Sequence, residues 1–284
     1  AASDNETAPD PVATPAAAHA VELARLDARG RRASRPLASL CRRDAFGSDA
    51  SSIPACVPVN ATVGDADRKA TVEAAESAVS EGFDCLKLKV GSRPVDRDID
   101  RVRAVRAAVG GSVDLRVDAN GAWDTATART ALTAFADIGI DYIEQPLPAG
   151  DLDDHRRLRG LGVDIALDES LAETSPAAVV DADAADVVIL KPMALGGPLR
   201  ATHGAAAARE AGIEPVVTTT IDAVVARTAA VHVAAAIPEV EACGLATGSL
   251  LAEDLAADPV RIGGGMASVP TAGGLCGDGF GMLH

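Results

Sequence analysis

Cys85-Leu86-Lys87-Leu88-Lys89-Val90 alternates charge and aliphatic bulk residue by residue. Successive side chains of a strand point to opposite faces, so Lys87 and Lys89 share one face and Leu86, Leu88 and Val90 the other. Covering helices take the aliphatic face, which turns both ammonium groups inward. The chain has four lysines, Lys69, Lys87, Lys89 and Lys191, and its other basic residues are arginine. Three of the four therefore stand at strand-like ends, Lys191 closing Val187-Val188-Ile189-Leu190-Lys191. Between them, Asp118, Glu144 and Asp168 close three further strand-like runs. From Lys89 to Lys191 the intervals are 29, 26, 24 and 23 residues, each about one strand plus one helix.

This period continues on both sides. Strands are predicted over 56–63, 84–89, 113–118, 141–144, 164–167, 186–190, 214–219 and 242–245, with helices over 66–81, 95–109, 124–138, 151–160, 173–182, 198–211 and 222–236. Strict alternation gives parallel pairing. No glycine-rich phosphate loop follows the first strand, so a closed (β/α) barrel fits better than an open doubly wound sheet. An amphipathic helix is expected over about 20–30, residues 1–18 are expected to be loosely held, and the polar stretch 42–52 reads as a loop.

Composition narrows the function. A length of 284 residues suits one barrel with a small appendage. The formal net charge of −15 argues against nucleic-acid partners and anionic membranes, both of which need Lys and Arg. No apolar run is long enough for a membrane span. Five cysteines in no metal-site spacing read as free intracellular thiols, and the expected location is cytoplasmic. Acidity with scarce lysine reads as adaptation to high salt.

Barrel enzymes place their chemistry at the C-terminal ends of the strands, where these five charged residues fall. A single such charged residue reads as a helix cap or a surface ion pair; five charged residues in consecutive units with matching parity do not. Strand parity also aims Arg116 and Asn120 inward, and at Asp168-Glu169 the strand-end position favours Asp168 as the axial group. Three carboxylates from neighbouring strands make an all-oxygen site suited to Mg²⁺, with Mn²⁺ as an alternative. Flanking lysines suggest proton abstraction next to a carboxylate, and the pairing of Lys87 with Lys89 is expected to lower the pKa of the base.

The motifs Lys87-Leu88-Lys89, Asp118-Ala119-Asn120-Gly121-Ala122-Trp123, Glu144-Gln145-Pro146, Asp168-Glu169-Ser170 and Lys191-Pro192 with Gly196-Gly197 resemble the enolase superfamily, more narrowly its muconate-lactonizing-enzyme subgroup. The resemblance runs from about residue 20 to about 260. It implies a modified TIM barrel of (β/α)7β type with a partial N-terminal capping region, Asp118, Glu144 and Asp168 as metal ligands, and Lys89 and Lys191 as the catalytic pair. Within the subgroup, Ala242-Cys243-Gly244-Leu245-Ala246-Thr247-Gly248 is most similar to the o-succinylbenzoate synthases, which implies a Mg²⁺-dependent lyase acting on a small carboxylate. Racemases of N-acylamino acids, dipeptide epimerases and muconate cycloisomerases share the lysines and carboxylates. The Asp-x-Asp that dipeptide epimerases carry at the eighth strand is missing. A non-catalytic barrel lacking its lid is a third reading, disfavoured by the complete set of charged residues.

The implied organisation is a partial capping region over 1–54, a barrel over 55–246 and a C-terminal segment over 247–284 packing back toward the cap. The strands of the cap look absent, so this chain is expected to bind metal yet turn over poorly without an upstream segment. Assembly into a homo-oligomer is left open. Lys87, Arg116, Asn120, Glu169, Thr220 and Gly244 are read as supporting or substrate-binding residues. For Thr220 the alternative is a helix cap, and for Gly244 a tight turn. The five histidines, His284 among them, show no ligand spacing and read as structural or surface residues, and Trp123 reads as packing. The glycine-rich stretches 263–265 and 273–281 follow no strand and do not read as phosphate loops.

Overall fold

A computed structural model describes residues 10, 13–47 and 53–281. Its centre is a seven-stranded parallel sheet: β2 (Ala61–Val63), β3 (Cys85–Lys89), β4 (Asp114–Asp118), β5 (Tyr142–Glu144), β6 (Asp164–Leu167), β7 (Val187–Leu190) and β8 (Glu214–Val217). Sequence order is spatial order throughout. The sheet closes on itself through Cys243 and Gly244, which bridge in parallel to Val59 on one side and Thr218 on the other. The expected strand over 242–245 is thus reduced to two isolated bridges, because the Leu245 amide turns back onto the Cys243 carbonyl.

Strand alternation builds two cores. Leu86, Leu88, Leu115, Val117, Ile143, Ile165, Leu167, Val188 and Leu190 face outward into the layer beneath the helices. Tyr142, Ala166, Val187, Ile189 and Val216 face inward and fill the barrel. The helical layer comprises α3 (Arg68–Ser80), α4 (Val95–Val109), α5 (Thr125–Ile138), α6 (Leu152–Leu158), α7 (Ser170–Glu173), α8 (Pro176–Asp181), α9 (Pro198–Glu210) and α10 (Val224–Ala236). Asp67, Asp124 and Ser175 cap α3, α5 and α8 by accepting hydrogen bonds from the amides of Ala70, Thr127 and Ala178. Trp123 is buried and tilts against Phe135 of α5.

Four further elements differ from expectation. The run 173–182 holds one shorter helix, α8, which starts only at Pro176: α7 ends at Glu173, the residue before a proline avoids helical geometry, and Ser175 caps the new start. The run 56–63 is also two elements. β1 (Cys56–Pro58) pairs antiparallel with β10 (Met266–Ser268), which pairs with β9 (Ile262–Gly263); the chain enters the barrel only at β2. The stretch 42–52 is not all loop. Helix α1 (Pro15–Ala33) is followed by α2 (Leu37–Phe46), whose Arg42 is buried and donates to the carbonyls of Ala235 and Ala236. Helix α1 also begins inside the segment expected to be loose, with Ala18 already buried, while 1–9, 11–12 and 48–52 lie outside the described residues.

Helices α1 and α2 pack on α9 and α10 around Leu23, Leu26, Leu37, Cys41, Ala229, Ala236 and Leu275. A Cβ on Gly30 would stand 2.7 Å from the Gly274 backbone, a contact only glycine permits. Gly263-Gly264-Gly265 turns the β9–β10 hairpin. The cysteines among the described residues are free thiols, and no helix there is long and apolar enough to cross a membrane.

Candidate active site

Register brings the charged strand ends together. Lys89 pairs with Asp118, and Asp118 with Glu144, along one row across β3, β4 and β5. The Lys89 ammonium lies 2.6 Å from Asp118 Oδ2 and 2.9 Å from Asn120 Oδ1. Lys87 donates to both Glu144 oxygens at 2.9 Å and lies 3.2 Å from Asp118 Oδ2. Lys191 donates to Asp168 Oδ2 at 2.5 Å. Asn120 extends the cluster, its amide donating to Glu169 Oε1 at 2.9 Å. Both members of the Asp168-Glu169 pair thus take part, and the second Glu169 oxygen is buried without a partner.

Loop entry is shaped by two residues in the left-handed region, Asn120 (φ 45°) and Gln145 (φ 42°). Gln145 is fully buried, and its side chain joins the ends of β5 and β6. Oε1 accepts from the amides of Asp168 at 3.0 Å and Ser170 at 3.2 Å; Nε2 donates to the Leu147 carbonyl and Ser170 Oγ, both at 2.9 Å. Sequence reading treated Gln145 only as part of a motif. An amide in the turn directly after an inward carboxylate was the available signal for a bracing role.

Burial opposes charge throughout the cluster, and the neighbours decide the outcome. Burial disfavours the Lys87 ammonium, yet the Glu144 and Asp118 carboxylates outweigh it and raise the pKa above the ordinary lysine value. Lys87 is therefore a fixed cation. Burial pushes Asp118 up, but Lys87 and Lys89 prevail and hold it at about 2. Glu144 is pushed up to about 8 by burial, with Asp118 and Asp168 adding to the shift against the pull of Lys87. Among the described residues, no group of three His, Cys, Asp or Glu side chains surrounds a common point, since each carboxylate is turned to a lysine. The donor set nevertheless suits a hard cation. It is all oxygen, comes from neighbouring strand ends, and includes an acid whose proton is retained partly because two carboxylates are close.

Other expected site residues lie elsewhere or are already engaged. Arg116 is inward-facing and buried but sits one layer lower. It donates to the Ala242 carbonyl at 2.5 Å and Glu241 Oε2 at 2.9 Å, with Tyr142 beneath its guanidinium at 4.8 Å. It lines a cavity of about 640 Å³ at the opposite end of the barrel, among the strand starts at Asp114, Asp164 and Glu214. Thr220 donates to Asp222 two residues on, as a local turn does. The Gly244 amide donates to the Val217 carbonyl within the barrel wall. His155 and His232 are buried and hydrogen-bonded, His19 is buried, His203 pairs with Asp44 at 2.9 Å, and His284 lies outside the described residues.

Comparison with known proteins agrees with this architecture. The model of the enolase C-terminal domain-like family matches residues 70–278. The chain belongs to that family. It is 41% identical over 208 residues to the o-succinylbenzoate synthase of Thermobifida fusca, covering 72% of this chain and 63% of that protein. To the synthase of Mycobacterium ulcerans it is 37% identical, with 74% and 63% covered. To the N-succinyl-L-Arg/Lys racemase of Bacillus cereus it is 32% identical, with 78% and 58% covered. The chain therefore spans about 63% of the length of the first of these relatives. The solved structure of the L-Ala-D/L-Glu epimerase from Bacillus subtilis, in a substrate-liganded complex, matches with a TM-score of 0.82 at 28% identity, covering 91% of this chain and 71% of that one. A muconate lactonizing enzyme structure matches at 0.83 and 27% identity, covering 92% and 72%. The fold is the modified TIM barrel of this family.

Proposed function

We propose that this chain carries the barrel of a dehydratase that forms o-succinylbenzoate from a hydroxylated cyclohexadiene carboxylate. The observation that supports it best is the row of strand ends in which Lys89 and Lys191 flank Asp118, Glu144 and Asp168, each lysine on one of the carboxylates. Lys89, acting as the base, takes the proton from the carbon next to the substrate carboxylate, and the C–H electron pair moves onto that carboxylate. As the pair returns to form the ring double bond, the C–O bond breaks, and the Lys89 ammonium gives its proton to the departing hydroxide on the same face. Lys191 keeps its proton and stabilises the developing charge from the other side. Asp118, Glu144 and Asp168 would hold Mg²⁺, or Mn²⁺, which supplies positive charge to the substrate carboxylate. Lys87 stays charged and keeps Glu144 and Asp118 in place; Asn120, itself held by Glu169, accepts from Lys89 on its second side.

A racemase reading rests on the same pair of lysines, one for each face of an α-carbon, and on the similarity to the Bacillus cereus racemase. The assay that separates them offers the protein, with Mg²⁺, the cyclohexadiene carboxylate and, separately, an N-succinyl amino acid in deuterated water. Formation of the aromatic product is expected, at the low rate anticipated for this chain, and with it loss of that product in Lys89→Ala. Deuterium incorporation into the amino acid without any aromatic product would overturn the dehydratase reading. By the same reasoning we place the enzyme in the cytoplasm, acting on a small carboxylate, and read its acidic, lysine-poor composition as a high-salt adaptation.

A further inference from the structure

The ion pair Asp98–Arg101 of α4 is among the most deeply buried in the molecule, with side chains 0% and 2% exposed. Neither residue touches the charged strand-end cluster by its side chain. Both reach the backbone that carries it. The Arg101 guanidinium donates to the Lys89 carbonyl, to Asp98 Oδ1 at 2.9 Å and to Thr71 Oγ1 at 3.3 Å. Asp98 Oδ2 accepts from the Gly91 amide at 2.7 Å. The two side chains thus grip the chain on both sides of Val90, immediately after β3.

Strand pairing explains why a grip is needed there. The last registered pair of β2 and β3 is Val63 with Leu88, so Lys89 has already run past its neighbour. A half-buried carbonyl without a ladder partner needs another donor, and Arg101 supplies it. The same guanidinium lies 3.5 Å from Asp65 in the loop after β2. Asp65 also holds Arg93 at 2.7 Å and accepts from Ser92 Oγ in the loop after β3. Two loops on the site rim are thereby tied to the Lys89 backbone. A buried ion pair is weak evidence for stability, because desolvation cancels much of its attraction, whereas its fork geometry fixes what it holds.

We propose that Arg101, oriented by Asp98, is the positioning residue for Lys89: it sets the height of the strand end and so the reach of the ammonium toward the reacting carbon. Only the kinetic part of this inference rests on the proposed function; the placement of Lys89 does not.

The scarcity of lysine makes a direct test available. Reductive methylation followed by peptide mapping reads Lys69, Lys87, Lys89 and Lys191 separately. Lys69, with its side chain 87% exposed, serves as the internal standard. In Asp98→Asn/Arg101→Met, which removes both charges together, the Lys89-to-Lys69 labelling ratio should rise about five-fold or more while Lys191-to-Lys69 stays constant. With turnover established, kcat should fall roughly 10- to 100-fold with KM within about two-fold, the scale expected for misplacing a reacting group by about 1 Å. Asp100→Asn/Arg103→Met, on the exposed side of the same helix, should change neither readout. If the first double variant does not fold, Arg101→Lys keeps a charge beside Asp98 without the fork and carries the same comparison. An unchanged Lys89 ratio in a folded variant overturns the proposal. So does a parallel rise at Lys191, which would mean general loosening. A rise at Lys89 alone in a protein without dehydratase activity would keep the positioning role and remove the proposed reaction.

Discussion

Lys87 shows how far a single side chain can be read before its neighbours are known. Parity aims it into the barrel, and the structure puts it there, but its chemistry is set by Glu144 and Asp118, which hold it charged. Replacing it by methionine keeps the volume and removes the cation. In metal-free protein, the cost of Lys87→Met should grow as pH rises above about 8, where Glu144 ionises beside Lys87 in the parent but is held protonated once that cation is gone. Below about pH 6 the loss should be smaller, because Glu144 keeps its proton there and needs no partner. Urea unfolding at the two pH values checks this; an equal cost at both would contradict the assigned pairing. Lys191→Ala should lower turnover by about 10²- to 10³-fold, as expected for one lost electrostatic contact in the reaction, and leave Mg²⁺ affinity within a few-fold. Steady-state kinetics and metal titration check it. Direction was legible here because the strand period is two. Depth was not: Arg116 has the right parity and sits one layer too low, beside Glu241, which only the folded barrel brings near.

At the scale of elements, periodicity recovered the barrel units because each buries one aliphatic face. It failed where a polar residue is buried by a distant partner. The second half of α2 reads as loop because Arg42-Arg43-Asp44 looks solvated, yet Arg42 closes the C-terminal end of α10. Asp98 and Arg101 were passed over for the same reason, although they lie on the stripe of α4 that buries Val102 and Val105. His232 of α10 is a third case. Its Nδ1 accepts from the Ala38 amide at 3.3 Å, and its Nε2 meets the Leu275 carbonyl at 2.5 Å, so one neutral ring joins α2, α10 and the C-terminal segment. Burial lowers its pKa to about 4, with the Leu275 carbonyl opposing. The unfolded chain therefore binds the proton more readily. The contribution of His232 is complete above about pH 6.5 and is lost as pH falls toward about 4. Denaturation across this window should show stability falling with acid, and His232→Asn should be less stable at neutral pH with a flatter profile. A wild-type profile no steeper than that of His232→Asn would count against the neutral ring.

For the whole molecule, two kinds of cation should act on stability, and they are separable. The formal net charge of −15 makes the folded chain repel itself, and at the N-terminal end of the barrel Asp84, Asp114, Asp141 and Asp164 line one cavity with the buried Arg116. Screening shortens the reach of that repulsion from about 10 Å at 0.1 M salt to about 3 Å at 1 M. The unfolding midpoint should therefore climb gradually with KCl over that range and keep climbing in any variant that stays strongly acidic. Mg²⁺ bound by Asp118, Glu144 and Asp168 would act by a different law. Only the native state brings these three together, so binding stabilises by RT ln(1 + [L]/Kd), about 2.7 kcal/mol at a hundred times Kd. That gain should saturate at low millimolar Mg²⁺ against a constant KCl background. Asp168→Asn, which removes one ligand charge, should abolish or strongly weaken it while leaving the KCl slope intact. A thermal-melt titration crossing the two cations in wild type and Asp168→Asn decides the matter. If Mg²⁺ acts only as KCl does, gradually and equally in both proteins, it is screening surface charge, and the three strand-end carboxylates are not its ligands.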